Sequence, residues 1–126
     1  MFGFRGRKEE RQRAAVVDAM RPLDKREEVA VRLALSQCAE DIRRNHPAEA
    51  QAMPVEDLVL LAAWQAASLS APRSFFVGVF SLSVEEGAAF CARIRAAAGA
   101  VATRQGRRSV LDGFRQLDAA PLPDRA

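Results

Sequence analysis

Few side chains in this 126-residue sequence could carry out acid–base or nucleophilic chemistry. The only histidine, His46, precedes Pro47 at a predicted helix end. A catalytic imidazole needs a nucleophile or another orienting group beside it. No spacing in the sequence places one, and no G-x-S-x-G, P-loop or dinucleotide-binding motif occurs. The sequence therefore predicts no catalytic residue, no bound cofactor and no enzyme, and we interpret His46 as a helix-boundary residue.

The two thiols, Cys38 and Cys91, each fall on the apolar stripe of a predicted helix. A buried free cysteine behaves as a small hydrophobe, which explains both without a chemical role. A zinc site would need both thiols, His46 and a fourth ligand, and the tight ligand pairs typical of zinc sites are missing. We predict two core thiols and no metal site; a redox pairing of the thiols is the alternative.

Acidic residues occur in adjacent pairs that resemble catalytic dyads only in sequence. Neighbours on a helix point about 100° apart, so such a pair does not act on one proton. Several pairs lie near predicted helix starts, where the helix dipole favours negative charge. The pairs are Glu9-Glu10, Glu27-Glu28, Glu40-Asp41, Glu56-Asp57 and Glu85-Glu86. They indicate helix ends rather than catalysis.

Arginines are the remaining side chains that could bind a ligand. The formal net charge is +3. On an ideal helix, residues eleven positions apart lie about 20° apart, which aligns Arg93 with Arg104. A solvated helix face explains such a stripe, but the stripe could also follow a phosphate backbone. The alternative hypothesis is therefore nucleic-acid binding through Arg93, Arg104, Arg107 and Arg108, helped by the N-terminal arm.

Composition and apolar periodicity predict an all-α fold. Ala, Leu, Arg and Glu are plentiful, Tyr is absent, and threonine occurs once, at Thr103, which favours helix over strand. The clearest buried stripe is formed by Val31, Leu35, Cys38 and Ile42. We expect a compact irregular bundle of about five helices, at approximately 8–20, 22–45, 54–69, 84–104 and from 109 onward.

The segment between Leu58 and Val84 contains a single charged residue, Arg73. Its two apolar halves, 58–71 and 75–84, are each shorter than the roughly 20 residues that a membrane-spanning helix needs. We therefore predict a central apolar helical hairpin wrapped by charged amphipathic helices, and no transmembrane segment. Within it, 75–82 is predicted as a short helix or buried turn, with a strand as the alternative.

Helix boundaries are indicated by capping patterns. Ser83 and Glu86 are spaced as a capping box, in which hydroxyl and carboxylate each accept a hydrogen bond from a free backbone N–H. Gly106 is predicted to end the helix that follows. Ser109 and Asp112 predict a second capping pattern at the start of the last helix.

The domain organisation is predicted to be simple. We expect a flexible basic arm at 1–7, one helical domain at 8–118 and a flexible tail at 119–126. No apolar signal region follows Met1, and Glu9 does not suit a transit peptide, so a cytoplasmic location is expected. The basic segment 1–13 would make at most weak contact with an anionic membrane surface.

These observations favour a small non-enzymatic protein that binds another protein, or itself, as an adaptor, inhibitor or assembly factor. Helix–helix contacts are the expected mode, because small side chains on the helix at 84–104 would permit close approach. Phe75 and Phe76 are consecutive, so a regular element cannot point both rings inward. The candidate contact residues are Phe75, Phe76, Gly87, Ala88, Ala92, Ala96 and Gly99.

Overall fold

The computed structural model describes residues 4–68 and 74–119. All regular structure in these ranges is helical, which confirms the predicted all-α fold. The helices are α1 Phe4–Met20, α2 Lys25–Asn45, α3 Pro47–Ala52, α4 Val55–Ala66, α5 Phe75–Phe80, α6 Val84–Arg104 and α7 Arg108–Ala119.

Helix α4 lies at the centre of the bundle. Its side chains Leu58 and Leu60 are fully buried, and the helix packs against α1, α2, α6 and α7. Helix α5, the other half of the predicted hairpin, lies at the edge on α6 and α2, with Val79 exposed. In the described part of the chain, no helix combines the length and apolarity that crossing a membrane requires.

Two capping boxes fix the starts of the longest helices. The predicted box at α6 is confirmed: Ser83 Oγ accepts from the Glu86 N–H at 3.1 Å, and the Glu86 carboxylate accepts from the Ser83 N–H at 2.8 Å. Helix α2 has the same arrangement, with Asp24 as its N-cap and Glu27 three residues on. Each box satisfies backbone donors that the helix itself leaves free.

The end of α6 requires a glycine. Gly106 has φ +68, a region that side chains with a Cβ rarely adopt. Its N–H donates to the Thr103 carbonyl at 3.1 Å, and the Arg107 N–H donates to the Ala102 carbonyl at 2.9 Å. These two bonds form a Schellman motif, which confirms the predicted end of this helix.

Several predicted boundaries were wrong. Helix α1 begins at Phe4, so the predicted arm at 1–7 is partly helical, and residues 1–3 lie outside the described ranges. Helix α3 was missed because Pro47 was interpreted only as a terminator, although proline suits a first helical turn. Asp112 does not cap α7; it pairs with Arg115 at 2.8 Å. Of the predicted tail, only Ala119 is described, and it ends α7.

Helix α7 is held against α4 and α6 by an aromatic and ionic cluster. The ring of Trp64 stacks on Phe114 with centroids 4.2 Å apart, and the Arg95 guanidinium lies 4.4 Å from the Trp64 ring centroid. Asp118 accepts hydrogen bonds from Trp64 Nε1 at 3.0 Å and from Arg95 Nη2 at 2.9 Å. The single tryptophan therefore reports on the docking of α7.

An ion-pair cluster joins α1 to α2. The Glu9 carboxylate lies 2.7 Å from Arg13 Nη1 and also pairs with Arg43 of α2. Burial alone would raise the pKa of Glu9, but hydrogen bonds and positive charge from Arg43 and Arg13 outweigh it, and the pKa is lowered. The charged faces of these two helices therefore satisfy each other within the domain.

Candidate functional site

Two of the exposed large apolar side chains lie on the outer face of α2. Val29 is 58% exposed and Leu33 is 46% exposed, and they are one helical turn apart. Val31 and Leu35, on the opposite face, are buried in the core. Helix α2 therefore carries two large apolar side chains on its outer face in addition to its buried stripe, where a surface helix normally carries charge.

The end of α5 lies beside the first turns of α2. Arg26 Nη2 donates to the Val79 carbonyl at 2.9 Å, which places the end of α5 beside the first turns of α2. Arg26, Val29 and Leu33 follow at helical spacing on one side of α2. The Val79 side chain is itself 38% exposed. We call the set formed by Arg26, Val29, Leu33 and Val79 the α2–α5 surface.

A pocket of about 390 Å³ adjoins the α2–α5 surface through Arg26. The rings of Phe80 and Phe90 meet edge to face in it, with centroids 5.6 Å apart. The Arg26 guanidinium lies 5.3 Å from the Phe80 centroid, and Arg93 lies 5.7 Å from the Phe90 centroid. The lining residues are Asp24, Arg26, Glu27, Phe80, Leu82, Glu86, Ala89, Phe90 and Arg93.

The charged groups around this pocket already serve the fold. The carboxylates of Asp24, Glu27 and Glu86 accept the backbone hydrogen bonds of the two capping boxes. Two arginines of the chain itself lie against its phenylalanine rings. What the pocket offers a ligand is therefore apolar surface, which suits a neutral apolar or aromatic side chain.

Two of the predicted protein-contact residues lie inside the domain. Phe76 is fully buried, with its ring centroid 4.9 Å from that of Phe90 and 5.3 Å from that of Phe75. Gly87 is buried under α5, and a Cβ built there would overlap the side chain of Val77. Phe76 and Gly87 therefore belong to the packing of α5 on α6, and the prediction that they contact a partner was wrong.

The other small residues of the predicted contact face are accessible. Ala88, Ala92 and Ala96 are exposed on the outer side of α6, and Gly99 is partly exposed. A Cβ built on Gly99 would have no atom within 4 Å. Phe75 is half-buried at the start of α5. This outer face of α6 could approach a second helix closely, and its role remains a prediction.

The predicted arginine stripe is divided by the fold. Arg93 Nη2 donates to the carbonyls of Met20 at 2.7 Å and Pro22 at 3.0 Å, so it caps the end of α1. Arg107 Nη1 donates to Asp57 at 3.0 Å. Arg104 and Arg108 remain exposed at the junction of α6 and α7. Arg93 is thus separated from the others and engaged within the domain.

The histidine and the thiols occupy structural positions. His46 is the C-cap of α2 and the N-cap of α3, as a boundary residue should be. Cys91 is buried 3.6 Å from Ser74 Oγ. Burial, with a contribution from the charge of Asp41, raises the pKa of Cys38 to about 11, so little reactive thiolate forms near neutral pH. Within the described ranges no group of three metal-ligating side chains converges.

We did not predict the α2–α5 surface from the sequence, although the sequence carries a signal for part of it. Val29 and Leu33 are spaced by four on the face opposite the buried stripe, and this spacing can be read without a structure. Val79 and the hydrogen bond from Arg26 had no such signal, because the two residues are 53 positions apart.

Comparison of the chain with protein-family models, with curated proteins and with solved structures finds no match.

Proposed function

We propose that this protein acts by binding another protein through helix–helix contacts at the α2–α5 surface. The observation that carries the proposal is the exposed pair Val29 and Leu33 on the outer face of a helix whose other face is in the core. Apolar side chains grouped on a surface mark interaction sites. Fully burying an exposed side chain of this size contributes about 1.5–3 kcal/mol, and since Val29 and Leu33 are already about half buried, each would contribute roughly half of that.

The geometry suits an amphipathic partner helix. An apolar pair spaced by four presents a ridge that the groove of a second helix accepts. The pocket beside Phe80 and Phe90 offers a place for one apolar anchor side chain of that helix. Lys25 and Arg26 are exposed at the same end of α2, so acidic residues flanking the apolar stripe of the partner would be favoured.

We expect the double variant Val29→Asp/Leu33→Asp to lose its binding to the partner protein. Tagged protein would be used to capture partners from host lysate treated with nuclease, with recovery measured by mass spectrometry. We expect recovery of a discrete protein partner to fall more than tenfold, because the variant would bury carboxylates in an apolar interface. Both residues are exposed, so the fold should be retained, as circular dichroism would show.

The matched control is Ala48→Asp/Gln51→Asp, which adds the same charge at exposed positions of α3. It should recover the partner at the wild-type level. Wild-type recovery by Val29→Asp/Leu33→Asp, or equal loss in the control, would contradict the proposal.

Self-association through the outer face of α6 is a second form of the same proposal. Ala88, Ala92 and Ala96 are exposed there at four-residue spacing. If two copies pack along this face, Ala92→Leu should separate the helices and convert dimer to monomer in sedimentation velocity. Ala48→Leu, at an exposed site on α3, is the control. An oligomeric state that Ala92→Leu leaves unchanged would remove the support for this form.

A further inference from the structure

A partly buried polar cluster, in which Gln12 and Asp57 are buried and Gln105 is exposed, joins three parts of the chain at one end of the bundle. The side-chain amides of Gln12 and Gln105 exchange two hydrogen bonds of 2.9 Å. Arg107 Nε donates to Gln105 Oε1 at 2.5 Å, and its Nη1 donates to Asp57. Gln12 is only 3% exposed. Because these hydrogen bonds join Gln12 of α1 to Gln105, and Gln105 to Arg107, the cluster holds α1 against the α6–α7 junction.

An exposed arginine stands next to each of three members of this cluster. Arg11 precedes Gln12, Arg104 precedes Gln105, and Arg108 follows Arg107. Adjacent Cα atoms are 3.8 Å apart, so the cluster brings the backbone positions of the three exposed arginines to the same end of the bundle. Arg11 lies 93 positions from Arg104 in the sequence. The hydrogen bonds between Gln12 and Gln105 bring these two segments together. The fold thereby groups three basic positions that are not all close in the sequence.

The position of Arg108 is unfavourable for its own helix. It is the first residue of α7, whose first turn carries no acidic residue, whereas α2 and α6 carry glutamates there. The positive end of the helix dipole disfavours a cation at this point. Helix stability therefore does not favour Arg108 at this position, and an anion placed there would offset the unfavourable charge.

We propose that Arg11, Arg104 and Arg108 form a surface that binds the phosphate backbone of a nucleic acid. Arginine supplies a planar fork of donors that fits a phosphate. The three residues offer phosphate contacts only, so binding is independent of base sequence. The surface lies on α1, α6 and α7, and it is independent of the protein-binding proposal for α2 and α5.

The first test is salt dependence, measured by fluorescence anisotropy with a labelled 20-base-pair DNA and a 20-nucleotide RNA. Three phosphate contacts predict a slope of log affinity against log salt of about −2.7 for the duplex and about −2.1 for the single strand. Duplex affinity should then fall about 40-fold between 50 and 200 mM KCl. No binding at 50 mM KCl, or an affinity independent of salt, would overturn the proposal.

The second test separates this surface from general positive charge. Arg104→Glu/Arg108→Glu should abolish binding, and Arg11→Glu alone should weaken it at least fivefold. Lys25→Glu/Arg44→Glu changes the net charge equally at exposed positions on α2 and should change affinity less than twofold. Unaltered binding in the first variant, unaltered binding in Arg11→Glu, or equal weakening in the control would each refute the assignment.

The melting temperature of the variants tests whether weaker binding results from loss of folding. Arg108→Glu places an acid in the first turn of α7, so the melting temperature of the free protein should rise while nucleic-acid affinity falls. A lysine at each of the three positions keeps the charge and should retain most of the affinity. A fall in melting temperature that accounts for the lost binding would show that Arg108 serves the fold instead.

Discussion

Replacing Phe76 by alanine is expected to lower the free energy of unfolding by about 3–5 kcal/mol. The ring is fully buried, and its centroid lies 4.9 Å from that of Phe90 and 6.3 Å from that of Phe80. Removing the ring leaves a cavity between α5 and α6. It also takes away the one buried side chain of α5. Denaturant unfolding followed by circular dichroism would measure the loss.

The neighbouring ring is the control for this prediction. Phe75 is half-buried and meets Phe76 edge to face, so Phe75→Ala should cost about 1–2 kcal/mol. If Phe76→Ala does not fold, Phe76→Leu keeps most of the volume and should still cost more than Phe75→Ala does. Equal losses at the two positions would mean that α5 is not anchored through Phe76.

This prediction also concerns the candidate site, because α5 carries Val79 and Phe80. In Phe76→Ala, α5 should detach while the rest of the bundle remains helical, and both the α2–α5 surface and the adjoining pocket would be lost. Partner recovery should therefore fall in this variant although no exposed residue has changed. Normal recovery would limit the docking surface to Val29 and Leu33.

The fold class and the main helices could be predicted because their signals are local. The stripe ending at Ile42 and the capping box at Ser83 are each contained in a few turns of one helix. The segment 75–80 could not be assigned firmly, because a short apolar run fits a helix or a strand equally. Its helix depends on α6, where Gly87 leaves room for Val77.

The candidate site was less predictable because its geometry joins distant segments. Arg93 and Arg104 share a helical face, yet Arg93 is engaged by carbonyls at the end of α1. Arg11 is brought to the same end of the bundle as Arg104 by the hydrogen bonds between the side chains of buried Gln12 and exposed Gln105. Sequence periodicity could not predict these hydrogen bonds, because a glutamine on a charged helix normally faces water. The residue types were visible in the sequence, but their convergence was not.

Asp57→Asn is expected to lower the free energy of unfolding by about 2–3 kcal/mol. Asp57 is 7% exposed, and its carboxylate accepts from Arg107 Nη1 at 3.0 Å. Removing the charge leaves a partly buried guanidinium with a weaker partner. The loss falls below the full cost of breaking a buried pair, because Arg107 retains some exposure and lies 3.7 Å from Glu56.

The adjacent carboxylate is the matched control, and a double-mutant cycle tests the cause. Glu56→Gln removes the neighbouring charge, whose carboxylate lies 3.7 Å from Arg107 rather than 3.0 Å. It should lower the free energy of unfolding by less than about 1 kcal/mol. Arg107→Met combined with Asp57→Asn should cost at least about 1 kcal/mol less than the sum of the single losses, because removing both partners leaves no buried charge uncompensated. Additive losses would show that Asp57 stabilises α4 without Arg107. The start of α7, and with it Arg108, would then have to be positioned by the Gln12–Gln105 pair and the packing of α7 on Trp64.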